Sequence, residues 1–292
     1  MRSNTAKATA GSILLLVVAM VSFQTGASLA KQMFPGVGAE GAAALRLGIA
    51  SMILLGVWRP WRRALNAAQG RAVIGYGLSL GAMNLLFYLA LQRMPLGLAV
   101  TFEFTGPLCL AVATSHRVLD LLWVALAGLG IFLVVWLGRA AGPVDPLGVM
   151  FAFGAGGFWA IYILLAQKVG GLLHSGTASA LGLLVAAAAV APIGIAHAGL
   201  KLLSPSVLPF AVGAAVFSSA LPYWLEMVAF KALQTRTVGV LMSLEPAVAA
   251  LAGLALLGEH LSSWQWAGIA SVIAASLGAA VTGHDGAPPI VE

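Results

Sequence analysis

Apolar residues along this chain form long stretches, separated by short segments that carry charge, Pro or Gly. A helix needs about 20 mostly apolar residues to cross a bilayer. The runs predict ten such spans, at 12–30, 39–58, 72–92, 97–115, 120–138, 146–168, 176–197, 206–230, 237–257 and 263–282. The links between them are tight, as in Arg93-Met94-Pro95 and Gln234-Thr235-Arg236, and none is long enough to fold as a soluble domain. The expected fold is therefore an all-α polytopic membrane protein. The first run imitates a secretory signal, with Arg2 and Lys7 before it and Ala27-Ser28-Leu29-Ala30 as a small-residue site. The polar pair Gln24 and Thr25 interrupts that pattern and favours a retained helix. The tail from 283 to 292, with Pro288-Pro289, is expected to be a disordered cytoplasmic segment.

Composition narrows the class further. Of 292 residues, 61% are hydrophobic and 8% charged, against about 25% charged in soluble domains. The net charge of +6 does not point to nucleic acid, because the basic residues sit in short loops beside apolar runs. It reads as a topology signal instead. With the N-terminus in the cytoplasm, the inner segments hold Arg2, Lys7, Arg59, Arg62, Arg63, Arg71, Arg117, Lys168, Lys231 and Arg236. The outer ones hold Lys31, Arg93, Arg139 and Lys201, so both termini are expected to be cytoplasmic. The single Cys109 excludes an internal disulfide and any Cys-rich metal site.

The chain repeats itself. At a shift of 142 positions Leu91-Gln92 falls on Leu233-Gln234, Gly97 on Gly239, Thr101 on Ser243, Glu103 on Glu245, and Tyr88 on the aromatic Phe230. Ala30-Lys31-Gln32 is echoed by Ala166-Gln167-Lys168 at a slightly smaller shift. Two five-helix units, 12–138 and 146–282, follow from this. An odd number of spans per unit inserts the copies with opposite orientation, the inverted-repeat plan of many secondary transporters.

Charges within the spans mark the candidate chemistry, since each costs at least about 2.5–3.5 kcal/mol at a helix centre. The shortlist is Glu103, Glu245, Glu226, Arg46 and Lys31. Prolines surround the acids. Pro107 frees the carbonyl of Glu103, Pro246 that of Met242, and Pro222 that of Ser218. Freed carbonyls at membrane depth must face protein or a water-lined cavity. A carboxylate beside exposed carbonyls suits an ammonium group or a proton; a structural kink with a capped Glu is the competing reading. For Arg46 the structural reading leads, because an intramembrane Arg often ties helices by pairing with an acid. Helical spacing adds Gln24, Ser28 and Lys31 on one face of the first span, Asn84 with Tyr88, Tyr223 with Glu226, and Trp159 with Tyr162. Each of these fits a polar cavity lining, and equally packing or an interfacial belt.

Enzyme chemistry finds little support. The five His residues are scattered, and no Walker loop or His-Glu-x-x-His occurs. Gly77-Leu78-Ser79-Leu80-Gly81 spells a nucleophile elbow but lies inside a span, and Gly36-Val37-Gly38-Ala39-Glu40-Gly41 spells a dinucleotide fingerprint with no strand before it. Glu259, at a helix end, reads as a solvated interface residue.

Phe102-Glu103-Phe104-Thr105-Gly106-Pro107, Met242-Ser243-Leu244-Glu245-Pro246 and Leu257-Gly258-Glu259 resemble the drug/metabolite transporter superfamily, EamA type. Gly26 to Lys31, Ala44-Leu45-Arg46-Leu47, Trp159 to Ile163 and Pro222 to Met227 are similar to its bacterial threonine and homoserine exporters, with Trp224 a departure where a smaller residue is expected. The resemblance runs from about residue 12 to 282. It implies ten helices, inverted repeats, a central cavity, and proton-driven efflux of small amino acids across the inner membrane by a monomer or weak homodimer, with no cofactor. In that reading Glu103, Glu226 or Glu245 holds the substrate ammonium or a proton, and Arg46 or Lys31 holds its carboxylate. An uncoupled exporter of a drug or other metabolite is the alternative, and an intramembrane enzyme a remote one.

Overall fold

The computed structural model describes residues 2–62, 65–114, 119–138, 144–222, 225 and 235–282. Among these residues the chain forms helices and turns and no strand. In chain order the helices are α1 (Arg2–Gln32), α2 (Phe34–Trp58), α3 (Ala67–Leu91), α4 (Leu96–Glu103), α5 (Thr105–Thr114), α6 (Leu119–Phe132), α7 (Pro146–Gly170), α8 (Ser175–Ala198), α9 (Leu208–Ala215), α10 (Thr235–Met242), α11 (Glu245–Leu257) and α12 (Ser263–Thr282). Wider π-type turns, Leu133–Leu137 and Val216–Ala220, extend α6 and α9. Seven segments are long and apolar enough to cross a membrane, and three shorter apolar helices lie at Leu96–Leu110, Leu121–Leu137 and Leu208–Ser219. The result is a polytopic, all-helical membrane protein.

Helix ends follow local chemistry. Asn66 and Gln69 form a reciprocal capping box that starts α3. Asp145 accepts the Leu147 N–H at 2.9 Å and Pro146 takes the first position of α7. Arg93 also donates to Asp145, and these bonds hold its carboxyl below the ordinary carboxylate range. The pair is therefore formed at neutral pH and is lost only as pH falls through that lowered range.

Two of the expected spans are not continuous. The fourth breaks at Phe104, between α4 and α5, and the ninth breaks at Ser243-Leu244, between α10 and α11. Glu103 ends α4 and Glu245 begins α11, so each acid borders a break. Pro107 and Pro246 lack the N–H that would bond residues 103 and 242, which is the physical reason. Other edges differ: α1 starts at Arg2, ten residues before its apolar run, and α3 at Ala67, five before its own, because polar residues continue each helix. The expected tail, 283–292, and the end of the eighth span lie outside the described residues.

Packing runs opposite to that of a water-soluble protein. Large apolar side chains point outward, as in Met52 (65% exposed), Met150 (69%) and Leu121 (67%), whereas the interior is rich in alanine. With lipid as apolar as the core, helices associate by close van der Waals contact between small residues. Helix α2 packs on α8, α3 on α7 and α8, α6 on α12, α4 on α11, and α1 on α9 and α11. The tightest approach is at Gly106, where a Cβ would sit 1.9 Å from the carbonyl oxygen of Gly156. At Gly97 a Cβ would lie 2.6 Å from Ala250 Cα.

Because backbone faces backbone at Gly106, a side chain there cannot be absorbed by a rotamer change. Gly106→Ala is expected to destabilise the protein by about 1–3 kcal/mol or more, read as a lowered Tm in detergent. Gly128→Ala, whose site is open, should leave Tm nearly unchanged.

Candidate functional site

A buried polar centre lies where α1, α2, α3, α9 and α11 meet. Arg46 of α2 is 4% exposed. Its Nε donates to Ser218 Oγ at 2.6 Å, its Nη2 to the Ser218 carbonyl at 3.1 Å, and its Nη1 to Asn84 Oδ1 of α3. Asn84 is held in turn by donating to the Leu80 carbonyl at 2.8 Å. The guanidinium lies 5.6 Å from the centroid of the Phe23 ring and 5.7 Å from that of Tyr88, positions suited to cation–π attraction. The Ser218 carbonyl is the one that Pro222 deprives of its helical partner, and Arg46 supplies the replacement. Ser22 does the same for the neighbouring Phe217 carbonyl, donating at 2.7 Å. Gly26 lets α1 come close enough, since a Cβ there would lie 2.5 Å from Ser218 N.

The acidic side of the centre is built from α1, α4 and α11. Gln24, fully buried, donates from Nε2 to Glu245 Oε1 at 3.2 Å. Ser28, also fully buried, donates to the Gln24 carbonyl at 2.9 Å. Glu103 lies within electrostatic reach of both Glu245 and Arg46. Its backbone carbonyl abuts α7, where a Cβ on Gly156 would lie 2.4 Å away. Glu245 Oε2 and Gln24 Oε1 are buried without a hydrogen-bond partner, as is Ser219 Oγ beside Ser218. Such atoms cost free energy unless something polar completes them. The centre thus holds a cation, two acids and unfilled hydrogen-bonding capacity within the membrane-embedded part of the fold.

Six residues singled out in the sequence converge here: Gln24, Arg46, Asn84, Tyr88, Glu103 and Glu245; Ser28 supports Gln24. Others lie elsewhere. Lys31 donates to Glu259 Oε1 at 2.7 Å and to the Met94 carbonyl at 2.8 Å, at the end of α1. Glu259 is consequently not a solvated interface residue: its carboxylate is 14% exposed and also accepts the Leu96 N–H at 2.7 Å. Tyr162 stacks on Tyr76 with ring centroids 5.1 Å apart, in a satellite apolar cluster with Val73 and Val169. Trp159 packs edge-on against Phe104, 5.4 Å between centroids, beside the α4–α5 break. Tyr223 and Glu226 lie outside the described residues. A groove of about 550 Å³ is lined by Glu40, Pro192, Ile193, Ala196 and His197, away from the charged centre. Sequence reasoning missed Ser218, Ser219, Ser22 and Phe23. Only Ser218 was signalled, by the carbonyl that Pro222 frees.

Arg46 is expected to be intolerant even of Lys, because one ammonium cannot reproduce a fork that bridges Ser218 and Asn84. Arg46→Lys should cost about 2–4 kcal/mol, seen as a lower Tm.

Comparisons with known proteins agree with this architecture. Residues 146–281 match the model of the EamA-like transporter family. The chain is 48% identical over 270 residues to the threonine/homoserine exporter RhtA of Salmonella typhimurium, covering 92% of this chain and 91% of that one. The protein of the same name from Escherichia coli strain K12 matches with the same identity and coverage. A solved crystal structure, 19% identical, superposes with a TM-score of 0.60 over 94% of this chain and 96% of its own, and shares the fold. This chain belongs to the EamA-like transporter family.

Proposed function

We propose that this protein exports threonine, homoserine or a closely related small amino acid across the bacterial inner membrane in exchange for protons. Ten spans in two inverted five-helix repeats enclose a central cavity, with both termini in the cytoplasm. The observation that carries the proposal is the pairing of opposite charge in one buried centre, Arg46 on one side and Glu103 with Glu245 on the other. A zwitterion leaving water needs an anion for its ammonium and donors for its carboxylate, and both are present. The names of the similar exporters support the substrate class. Glu103 and Glu245 fall on each other at the repeat shift of 142 and each borders a helix break, the first preceding its break and the second following it, which supports two related halves. Basic residues concentrated at one end support the orientation.

In this mechanism a carboxylate of the centre binds either the substrate ammonium or a proton. Glu103 is the first choice, Glu245 the second, and Glu226 the third. Competition at one group couples the two fluxes, because each ligand must weaken the other by the same factor. Arg46 receives the substrate carboxylate through the donors that Ser218 and Asn84 leave free, since guanidinium has five N–H groups. Gln24 orients Glu245, and Ser28, Asn84 and Tyr88 shape the surroundings. Lys31 is not assigned a substrate contact.

Proteoliposomes loaded with a panel of labelled amino acids test the substrate, and collapse of the proton gradient should abolish uphill efflux. Glu103→Gln keeps shape and hydrogen bonding but cannot exchange a proton. It should insert normally and lower coupled efflux by about tenfold or more; parental efflux would reduce Glu103 to a kink residue. Titrating the purified protein with threonine in weak buffer should release protons between about pH 6 and 8. Binding without release would eliminate direct competition. Reporter fusions at Glu292 should be active only in the cytoplasm.

A further inference from the structure

Every ion pair or His–carboxylate contact among the described residues lies at the same end of the helix bundle, the end where α1 terminates, and each joins the first half of the chain to the second. Lys31 Nζ meets Glu259 Oε1 at 2.7 Å, Arg93 Nη1 meets Asp145 Oδ2 at 2.8 Å, and His197 Nδ1 lies 3.7 Å from Glu40 Oε1. Lys31, Glu40 and Arg93 come from α1, α2 and the α3–α4 connection; Glu259, His197 and Asp145 come from the α11–α12 connection, α8 and the start of α7. The opposite end is richer in cations, yet Arg59, Arg62, Arg71 and Lys168 are exposed there and make no ion pair among the described residues.

The Lys31–Glu259 contact is the most developed of the three. Gly258, at φ 65°, reverses the chain after α11, and the Glu259 N–H closes that turn on the Gly253 carbonyl at 3.0 Å. The carboxylate then folds back over Gly253, where a Cβ would lie 2.4 Å from Oε2. It spans two partners, taking the Lys31 ammonium on Oε1 and the Leu96 N–H, the first of α4, on Oε2. The same ammonium donates to the Met94 carbonyl. Lys31 stands seven residues beyond Gln24 on α1, and Leu96 seven residues before Glu103 on α4. The knot therefore sits about 10 Å along both helices from the charged centre, and it holds together the two helices that carry Gln24 and Glu103.

We propose that Lys31 and Glu259 form the latch of a gate: closed, the pair seals the charged centre from the face at which α1 ends, and it must open for substrate to leave by that face. The proposal rests on the transport reading, and it makes Lys31 a gating residue rather than a substrate ligand. Among the described residues the charged contacts between the halves all lie at this end, whereas the opposite end is joined by uncharged ones, Gln69 donating to the Leu172 carbonyl at 3.1 Å and Trp58 packing on His174. The latch suits reversible opening. It is partly solvated, with side-chain exposures of 22% and 14%, so water can replace each partner as the halves separate. A fully buried pair would resist this far more strongly.

The test uses the full chain in oriented vesicles, with exposed Cys109 replaced by Ser and a reporter placed at Ala27. Ala27 is 2% exposed and lies one turn inside Lys31 on the same face of α1. A membrane-impermeant thiol reagent is applied to the face at which α1 ends, without substrate. Ala27→Cys should react slowly in the otherwise unchanged protein and about tenfold faster with Lys31→Gln, as the open population grows. The charge swap Lys31→Glu with Glu259→Lys should return it toward the slow rate. Arg93→Gln removes a more exposed contact of the same face, serves where Lys31→Gln does not insert, and should give a smaller acceleration. Unchanged reactivity in the variant examined, or acceleration only from the opposite face, overturns the latch. Because no substrate is used, the transport reading fails separately: a protein that labels as expected but exports no amino acid would retain its latch and lose its proposed cargo.

Discussion

The fold depends on a single constraint: a polar group taken into hydrocarbon must find its partner within the protein. Arg46 shows how far the structure goes to meet it. The guanidinium is bonded to a serine hydroxyl, a freed backbone carbonyl and an asparagine, and two aromatic rings cover its faces. The freed carbonyl exists because Pro222 follows Ser218 by four residues. A cation that would be costly alone and a carbonyl that would be costly alone satisfy each other, and in doing so they fasten α2 to α9.

The same constraint explains the two interrupted helices. A break in a membrane helix exposes backbone groups, so it survives only where other protein covers it. The α4–α5 break lies against Gly156 of α7, whose missing side chain lets backbone meet backbone. The α10–α11 break carries Ser243, fully buried and 3.0 Å from Ser276 of α12. Each break brings a glutamate to the helix end, where it is not flanked by a full turn of apolar neighbours on both sides. Backbone interruption and buried acid thus belong to one arrangement, and the glycines that permit close packing determine where it can be placed.

The polar centre and the Lys31–Glu259 knot differ in how far their polar groups are satisfied. Those of the centre are only partly satisfied, with Gln24 Oε1, Glu245 Oε2 and Ser219 Oγ left over. The Lys31–Glu259 knot at the end of α1 is saturated, since the Glu259 carboxylate has a partner on each oxygen. Unfilled capacity is suited to a ligand that comes and goes. Filled, partly solvated capacity is suited to holding two halves together and releasing them.

Much of this was legible in the sequence because hydropathy and proline act locally. Runs of about 20 apolar residues placed most of the described helix ends to within a few residues, α1 excepted, which begins ten residues before its run. Pro107, Pro222 and Pro246 marked the carbonyls that lose their partners, and an acid in an apolar run marked itself by its cost. The partners themselves were not legible. Nothing near Lys31 in sequence indicates Glu259, 228 residues away, and a glutamate at a helix end looks solvated until a neighbouring helix covers it. Tyr162 shares a helical face with Trp159, yet α3 supplies Tyr76 to stack on it. Sequence by itself therefore determined the solvent, the helices and the residues that need partners, since those depend on transfer free energy along one segment. Tertiary structure alone decided which partner each received, because that depends on how glycine and alanine surfaces bring distant helices into contact.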